Sequence, residues 1–242
     1  MQNTVHFVLQ AKGGIGKSFV STLLAQHVLN ETGAVKCFDT DQENTTFTHY
    51  AALDVKHVSV TNDSRLIDPR KFDALMETLL TEEGNFVIDT GANTFSNLLA
   101  YMVENDVVAM LGAAGKTTYI HTIVGGGDTL NDTASGFYAI AQKVEGTRLV
   151  LWCNEHFGAL TTAEGRSFVE TQAYKQSAAR LNGVVTLYRR NSATFGEDIR
   201  KLNTKRHTIS QALSSSDYTL MEKQRIKTFS RDVFGQLQAV QW

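Results

Sequence analysis

Eight residues near the N-terminus, Ala11-Lys12-Gly13-Gly14-Ile15-Gly16-Lys17-Ser18, hold the densest chemistry in this 242-residue sequence. They fit the phosphate-loop pattern G-x-x-x-x-G-K-[ST] with one change, Ala11 in place of the first glycine. Gly13, Gly14 and Gly16 allow successive main-chain amides to turn toward phosphate oxygens. A helix opening at Lys17 adds the partial positive charge of its N-terminus. In this pattern Lys17 reaches the β- and γ-phosphates of a nucleotide and the Ser18 hydroxyl binds Mg²⁺. The expected nucleotide contacts therefore run through Gly13, Gly14, Ile15, Gly16, Lys17, Ser18 and Phe19.

Two acidic segments complement that loop. Cys37-Phe38-Asp39-Thr40-Asp41 and Val87-Ile88-Asp89-Thr90-Gly91 each pass from an apolar run into aspartate. Mg²⁺ takes hard oxygen ligands and keeps several waters, so Asp89 is expected to hold it through water, with Asp39 supporting that shell. Asp41 is the candidate for orienting an attacking water, because phosphoryl transfer depends more on positioning than on a strong base. Ser18, Asp39, Asp41 and Asp89 together form the expected metal neighbourhood. A third polar turn, Asn154-Glu155-His156-Phe157, follows the run Leu149–Cys153. It lacks the aspartate of the guanine-reading N-K-x-D pattern, which favours ATP. Asn154 is the candidate for the adenine edge, with a plain turn asparagine as the alternative.

These residues need a frame that brings strand ends together. Val5–Leu9, Val35–Phe38, Phe86–Ile88, Val107–Leu111, Leu149–Cys153 and Val184–Tyr188 read as short buried strands. Lys17–Glu31, Asp68–Glu83 and Met221–Val240 read as helices, the first carrying Phe19, Val20, Leu23, Leu24, His27 and Val28 on one stripe and stopping at Gly33. Near-continuous apolar strands alternating with helices imply an α/β fold, a mostly parallel sheet between two helical layers. In such sheets ligands bind beyond the carboxyl ends of the strands, where the loop and the aspartates fall. One proline, no repeat and no low-complexity stretch give one domain over residues 1–242. Gly125-Gly126-Gly127 reads equally as a moving loop or a plain connection, and Phe137 and Tyr138 as core.

Composition excludes several other classes. Apolar residues make up 42% and charged residues 20%, which argues against disorder. The formal charge is −2, but residues 200–242 hold eight cations against three acids, so a basic end sits on an acidic body. Its terminal helix, about 219–240, reads as a sheet-packing element with a solvated basic face; a DNA-contacting face and a membrane-surface helix are the alternatives. Cys37 and Cys153 fall inside strands and suit reduced buried thiols better than an iron–sulfur centre. The histidines show no zinc spacing, and Ser18 and Ser21 lie in no G-x-S-x-G elbow. No secretory leader pattern stands at the N-terminus and no apolar run nears the roughly 18 residues of a membrane span, so the cytoplasm is expected.

The form Lys12-Gly13-Gly14-Ile15-Gly16-Lys17-Ser18, with a second lysine opening the loop, resembles the deviant Walker A motif of the ParA/MinD ATPases. Both aspartate segments resemble that family too, although Gln42 and Gly91 stand where it usually has proline. The resemblance implies a three-layer α/β/α P-loop ATPase using ATP and Mg²⁺, with Asn154 at the adenine edge. It also implies a homodimer formed on ATP, in which Lys12 contacts the nucleotide of the other subunit. Lys12, Lys17 and Asp41 are then the catalytic group. Segments between the motifs, among them Tyr50-Ala51-Ala52-Leu53, Phe72-Asp73-Ala74-Leu75, Trp152-Cys153-Asn154 and Glu164-Gly165-Arg166-Ser167-Phe168, resemble conjugal transfer proteins of broad-host-range plasmids within the same superfamily. That likeness covers most of the chain and implies partners in the conjugative transfer machinery. Relatives that bind DNA or membrane keep non-specific DNA and, less readily, a membrane surface among the expected partners.

Overall fold

Parallel strands buried on both faces need apolar side chains on both sides, and the short apolar runs of this chain supply them. The computed structural model describes residues 1–242. In chain order the strands are β1 (Thr4–Val8), β2 (Lys36–Asp39), β3 (Lys56–His57), β4 (Phe86–Asp89), β5 (Thr117–Gly125), β6 (Arg148–Asn154) and β7 (Leu181–Leu187). The helices are α1 (Lys17–Thr32), α2 (Asp73–Thr81), α3 (Phe95–Glu104), α4 (Val107–Ala113), α5 (Leu130–Lys143), α6 (Gln172–Ser177), α7 (Glu197–Lys205), α8 (Ile209–Ser214) and α9 (Leu220–Gln238). The strands form one sheet in the order β3-β2-β4-β1-β5-β6-β7, every pair parallel.

Strand periodicity divides the core. Val8, Val87, Ile123, Val150 and Trp152 face a layer containing Leu24, Val28, Ile226, Phe229 and Val233 of α1 and α9. Phe7, Ile88, Ile120 and Leu149 face the opposite layer, with Leu75, Leu98, Met102, Leu111 and Ile140 of α2 to α5. The architecture is thus the expected three-layer α/β/α arrangement. β1 lies between β4 and β5, with Val8 paired to Asp89 and to His121. That register sets the tips of β1, β2 and β4 side by side under the loop at residues 11–16.

Four readings of the sequence need correction. Val107–Leu111 is the start of helix α4, not a strand: Val107 and Leu111, four apart, are buried while Ala109 between them is exposed, where a strand would bury all three on one face. The central strand of that region is β5, whose buried Thr118, His121 and Thr122 break the apolar signature. The helix read over 68–83 is divided, a 3₁₀ turn at Pro69–Phe72 capped by Asp68 preceding α2. Tyr138 is only half-buried, whereas Phe137 is core. Helix α1 is also buried without a break from Val20 to Val28 rather than along one stripe.

The basic end packs onto the sheet layer. Helix α9 starts in a capping box between Thr219 and Glu222 and buries Ile226, Phe229, Val233 and Leu237. Half of the eight cations are spent on acids: Arg200 on Glu197, Lys201 on Glu222, Lys205 on Asp217 and Arg225 on the buried Asp198. No helix is long and apolar enough to cross a membrane.

Candidate active site

The loop after β1 carries the least satisfied main chain in this part of the molecule. None of the amides from Lys12 to Phe19 donates to another group of the chain; the first helical bond runs from Val20 to Gly16, at 2.9 Å. Lys17 to Phe19 are amides that any helix N-terminus leaves free, and the loop adds five more beside them, which concentrates donors for an anionic acceptor. Gly16 makes this possible as the residue before α1: its φ of 103° suits glycine, and no side chain caps the helix in its stead. With no acidic residue in the first turn of α1, the helix terminus keeps its positive potential.

Lys17 is buried beneath the loop and its Nζ donates to Lys12 O at 3.1 Å. Burial lowers its pKa, while the nearby carboxylates of Asp89 and Asp41 oppose that shift. The ammonium thus faces the two carboxylates expected from sequence. Asp89 is fully buried; its Oδ1 accepts from Ser21 Oγ at 2.8 Å, but its Oδ2 has no partner. Burial pushes its pKa up to about 7, with Asp39 adding to the rise and the hydroxyls of Ser18 and Ser21 and the charge of Lys17 opposing it. An orphaned carboxylate oxygen beside a serine hydroxyl fits a hydrated divalent cation.

Asp39 and Asp41 separate in role. Both oxygens of Asp39 are engaged: Oδ1 accepts from Asp41 N at 2.9 Å, and Oδ2 from Thr48 N and Oγ1 at 3.1 and 3.0 Å. Burial raises its pKa against those bonds. It therefore ties the chain after β2 together from below. Asp41 is half-buried, and its Oδ1 accepts from the amides of Glu43 and Asn44 at 2.9 and 3.0 Å. Its Oδ2 makes no hydrogen bond within the chain.

The remaining residues meet the loop from other sides. Asn154 ends β6; its Nδ2 donates to Ile15 O and its Oδ1 accepts from His156 N, both at 3.1 Å. Phe19 turns its ring away, stacking on Phe229 at 6.0 Å between centroids, so only its amide faces the loop. Lys12 reaches outward and pairs with Asp132 of α5 at 2.8 Å, both side chains well exposed. The glycines at 125–127 are a plain tight connection, Gly127 donating to Ala159 O at 3.1 Å, and a side chain at Gly126 would overlap the Gly158 carbonyl. Cys37 and Cys153 are free and buried, each thiol pushed up to about 12 by burial.

Sequence reasoning missed three residues that shape the site. Gln10, fully buried, donates to Ile123 O at 2.7 Å and Thr133 O at 3.1 Å and accepts from Ala11 N at 2.8 Å. It joins the loop to β5 and α5, yet one glutamine before the motif carries no signal on its own. Ser21, the partner of Asp89, lies one helical turn after Lys17, and that spacing could have found it. Gln42 braces the Asp41 segment and is taken up below.

Comparison with known proteins finds relatives over nearly the whole chain. The chain is 36% identical over 236 residues to "Protein TraL" of Escherichia coli, covering 97% of each, and a second TraL from that organism matches at the same identity over 235 residues. No family model matches. Among solved structures it is similar to a MinC:MinD cell division protein complex of Aquifex aeolicus, with a TM-score of 0.52, 11% identity and 96% of each chain covered. MinD of the same organism gives a TM-score of 0.50 at 12% identity, over 96% of this chain and 97% of that one. The second pair of likenesses shows the fold alone.

Proposed function

The chain belongs to the TraL family, and from that premise we propose that it is an ATP-binding switch that hydrolyses ATP and assists conjugal transfer of plasmid DNA. The observation that carries this reading is the run of unpaired amides from Lys12 to Phe19 over the buried Lys17 ammonium. The amides and Lys17 would bind the triphosphate. Ser18 and Asp89 would hold Mg²⁺, which supplies charge neutralisation between the β- and γ-phosphates. The free Oδ2 of Asp41 would hold the attacking water in line. As the water oxygen bonds to the γ-phosphorus, the bond to the β-phosphate oxygen breaks with its electron pair staying on ADP, and inorganic phosphate and one water proton pass to solvent. Asn154 retains one N–H and one lone pair, the combination that an adenine edge offers in complement.

Lys12 is the candidate for contact with a second subunit's nucleotide. Its ion pair with Asp132 holds it in its own chain, but the pair is exposed and worth at most about 1 kcal/mol. Nucleotide binding across a dimer can readily outweigh that. A protein partner in the transfer apparatus is favoured over DNA, because four of the eight cations at the basic end are already neutralised by acids. A partition-type ATPase would need that surface for phosphate, and a gated binding module would share the site but lack turnover.

Titration calorimetry with Mg-ATP and Mg-GTP, on the wild type and Lys17→Ala, tests the site. Tight binding of ATP over GTP, lost by at least a hundredfold in Lys17→Ala, is expected. Equal ATP affinity in the variant would overturn the assignment.

A further inference from the structure

We propose that Gln42 is a positioning residue that fixes the Asp41 carboxylate, an inference that rests on the catalytic reading of Asp41 given above. The Gln42 Nε2 donates to Thr40 O at 3.1 Å and to Val58 O at 2.9 Å. Thr40 is itself fixed, its amide and hydroxyl both donating to Asp89 O at 3.0 and 3.1 Å. Val58 follows β3 and its amide donates to Asp39 O at 2.8 Å. One carboxamide thus ties the segment carrying Asp41 to the ends of β2 and β3.

That clamp decides where Asp41 points. With Oδ1 held by the amides of Glu43 and Asn44, the carboxylate cannot turn without breaking two bonds, and Oδ2 alone stays free. The turn in turn stays put because Gln42, the next residue, is anchored at both of its acceptors. Gly91, at the tip of β4, supplies the room: a Cβ there would lie 2.9 Å from Asp41 Oδ1 and 2.5 Å from Asn93 Oδ1. A side chain at 91 would press on Asp41, and the segment is braced instead by the hydrogen bonds of the Gln42 carboxamide.

The reaction needs an acceptor in a fixed place rather than a strong base, and a misplacement of about 1 Å can cost on the order of a hundredfold in rate. Gln42→Leu keeps the volume and removes both donors. Steady-state ATP hydrolysis, ATP affinity and amide hydrogen exchange are measured on the wild type, Gln42→Leu and Gly91→Ala. The expected result is kcat lowered tenfold or more in both variants, KM for ATP within twofold of wild type, and faster exchange at the Glu43 and Asn44 amides in Gln42→Leu. Retained ATP affinity reports that each variant is folded. A Gln42→Leu variant with wild-type kcat, or with unchanged exchange at those amides, overturns the inference while leaving the nucleotide site standing. A rise in KM at constant kcat overturns it too, since Gln42 would then serve binding. If the wild type binds ATP without hydrolysing it, there is no water to position, and both this inference and the catalytic reading fall.

Discussion

Gly136 lies in the middle of α5, where alanine normally stabilises a helix by about 0.5–1 kcal/mol. Here the sign is expected to reverse. A Cβ at this position would overlap Gln10 Oε1 and lie 3.1 Å from Cδ and 3.2 Å from Nε2 of the same carboxamide. The end of a glutamine ordinarily swings aside at little cost, but this one makes three bonds of 2.7–3.1 Å in the interior. Displacing it leaves Ala11 N–H and two carbonyls short of a partner, at about 1–3 kcal/mol for each group left unsatisfied. Overpacking adds about 1–3 kcal/mol, so even at the low end of each range, with alanine's helix preference subtracted, Gly136→Ala should cost at least about 3 kcal/mol net. For a chain of this size that is roughly 6–12 °C in Tm. Urea unfolding or calorimetry measures it, alone and in a Gln10→Ala background. With Gln10 truncated there is nothing to displace, and Gly136→Ala should become neutral or stabilising by up to about 1 kcal/mol. The same cost in both backgrounds, or none in either, would refute the reasoning.

Acid should destabilise the protein through a buried histidine pair. Trp152 Nε1 donates to His121 Nδ1 at 3.0 Å, so the His121 proton sits on Nε2, facing His6 Nδ1 at 3.1 Å; His6 Nε2 then donates to Thr4 Oγ1 at 2.8 Å. A further proton has no acceptor, and burial drives His6 down to about 3 and His121 well below its usual value. The folded form therefore binds fewer protons than the unfolded one, and stability present above about pH 6.5 is lost as pH falls toward 3, by about 1.4 kcal/mol per pH unit for each histidine. Asp89, raised to about 7, works in the opposite direction and offsets one of them. His6→Leu should flatten the acid loss by about 1.4 kcal/mol per pH unit below 6.5 in urea titrations; an unchanged profile would remove His6 from this role. Asp132→Ala releases Lys12 from its exposed pair, so it should change stability by less than about 1 kcal/mol yet raise the dimer fraction at limiting ATP, which sedimentation can follow. A dimer fraction equal to wild type would show that the pair restrains nothing.

What the sequence disclosed depended on whether the meaning of a residue lies in its neighbours along the chain. The phosphate loop was legible because its glycines, Lys17 and Ser18 act as one contiguous segment at a strand-to-helix junction. Asp39, Asp41 and Asp89 were legible because each closes a short apolar strand. β5 was not, because its core includes Thr118, His121 and Thr122, and what makes a histidine tolerable there is Trp152 and His6 from other strands. Val107–Leu111 misled for the opposite reason: five apolar residues in a row satisfy a strand and a short helix equally, and the exposure of Ala109, midway between the buried Val107 and Leu111, separates them. The work of Gln10 and Gln42 depends also on the carbonyls of Ile123, Thr133 and Val58, 16 to 123 positions away, which no local pattern encodes. Both oxygens of Asp39 are held within the chain, by Asp41 N and by Thr48, bonds that its place at a strand end does not announce.

The most direct measurement is light scattering on the Asp41→Ala protein with Mg-ATP, which should bind the nucleotide without consuming it. A dimer with ATP, a monomer without it, and a monomer again when Lys12→Ala is added would be the outcome of an ATP-driven switch closed by Lys12. A protein that stays monomeric with ATP demonstrably bound would contradict it.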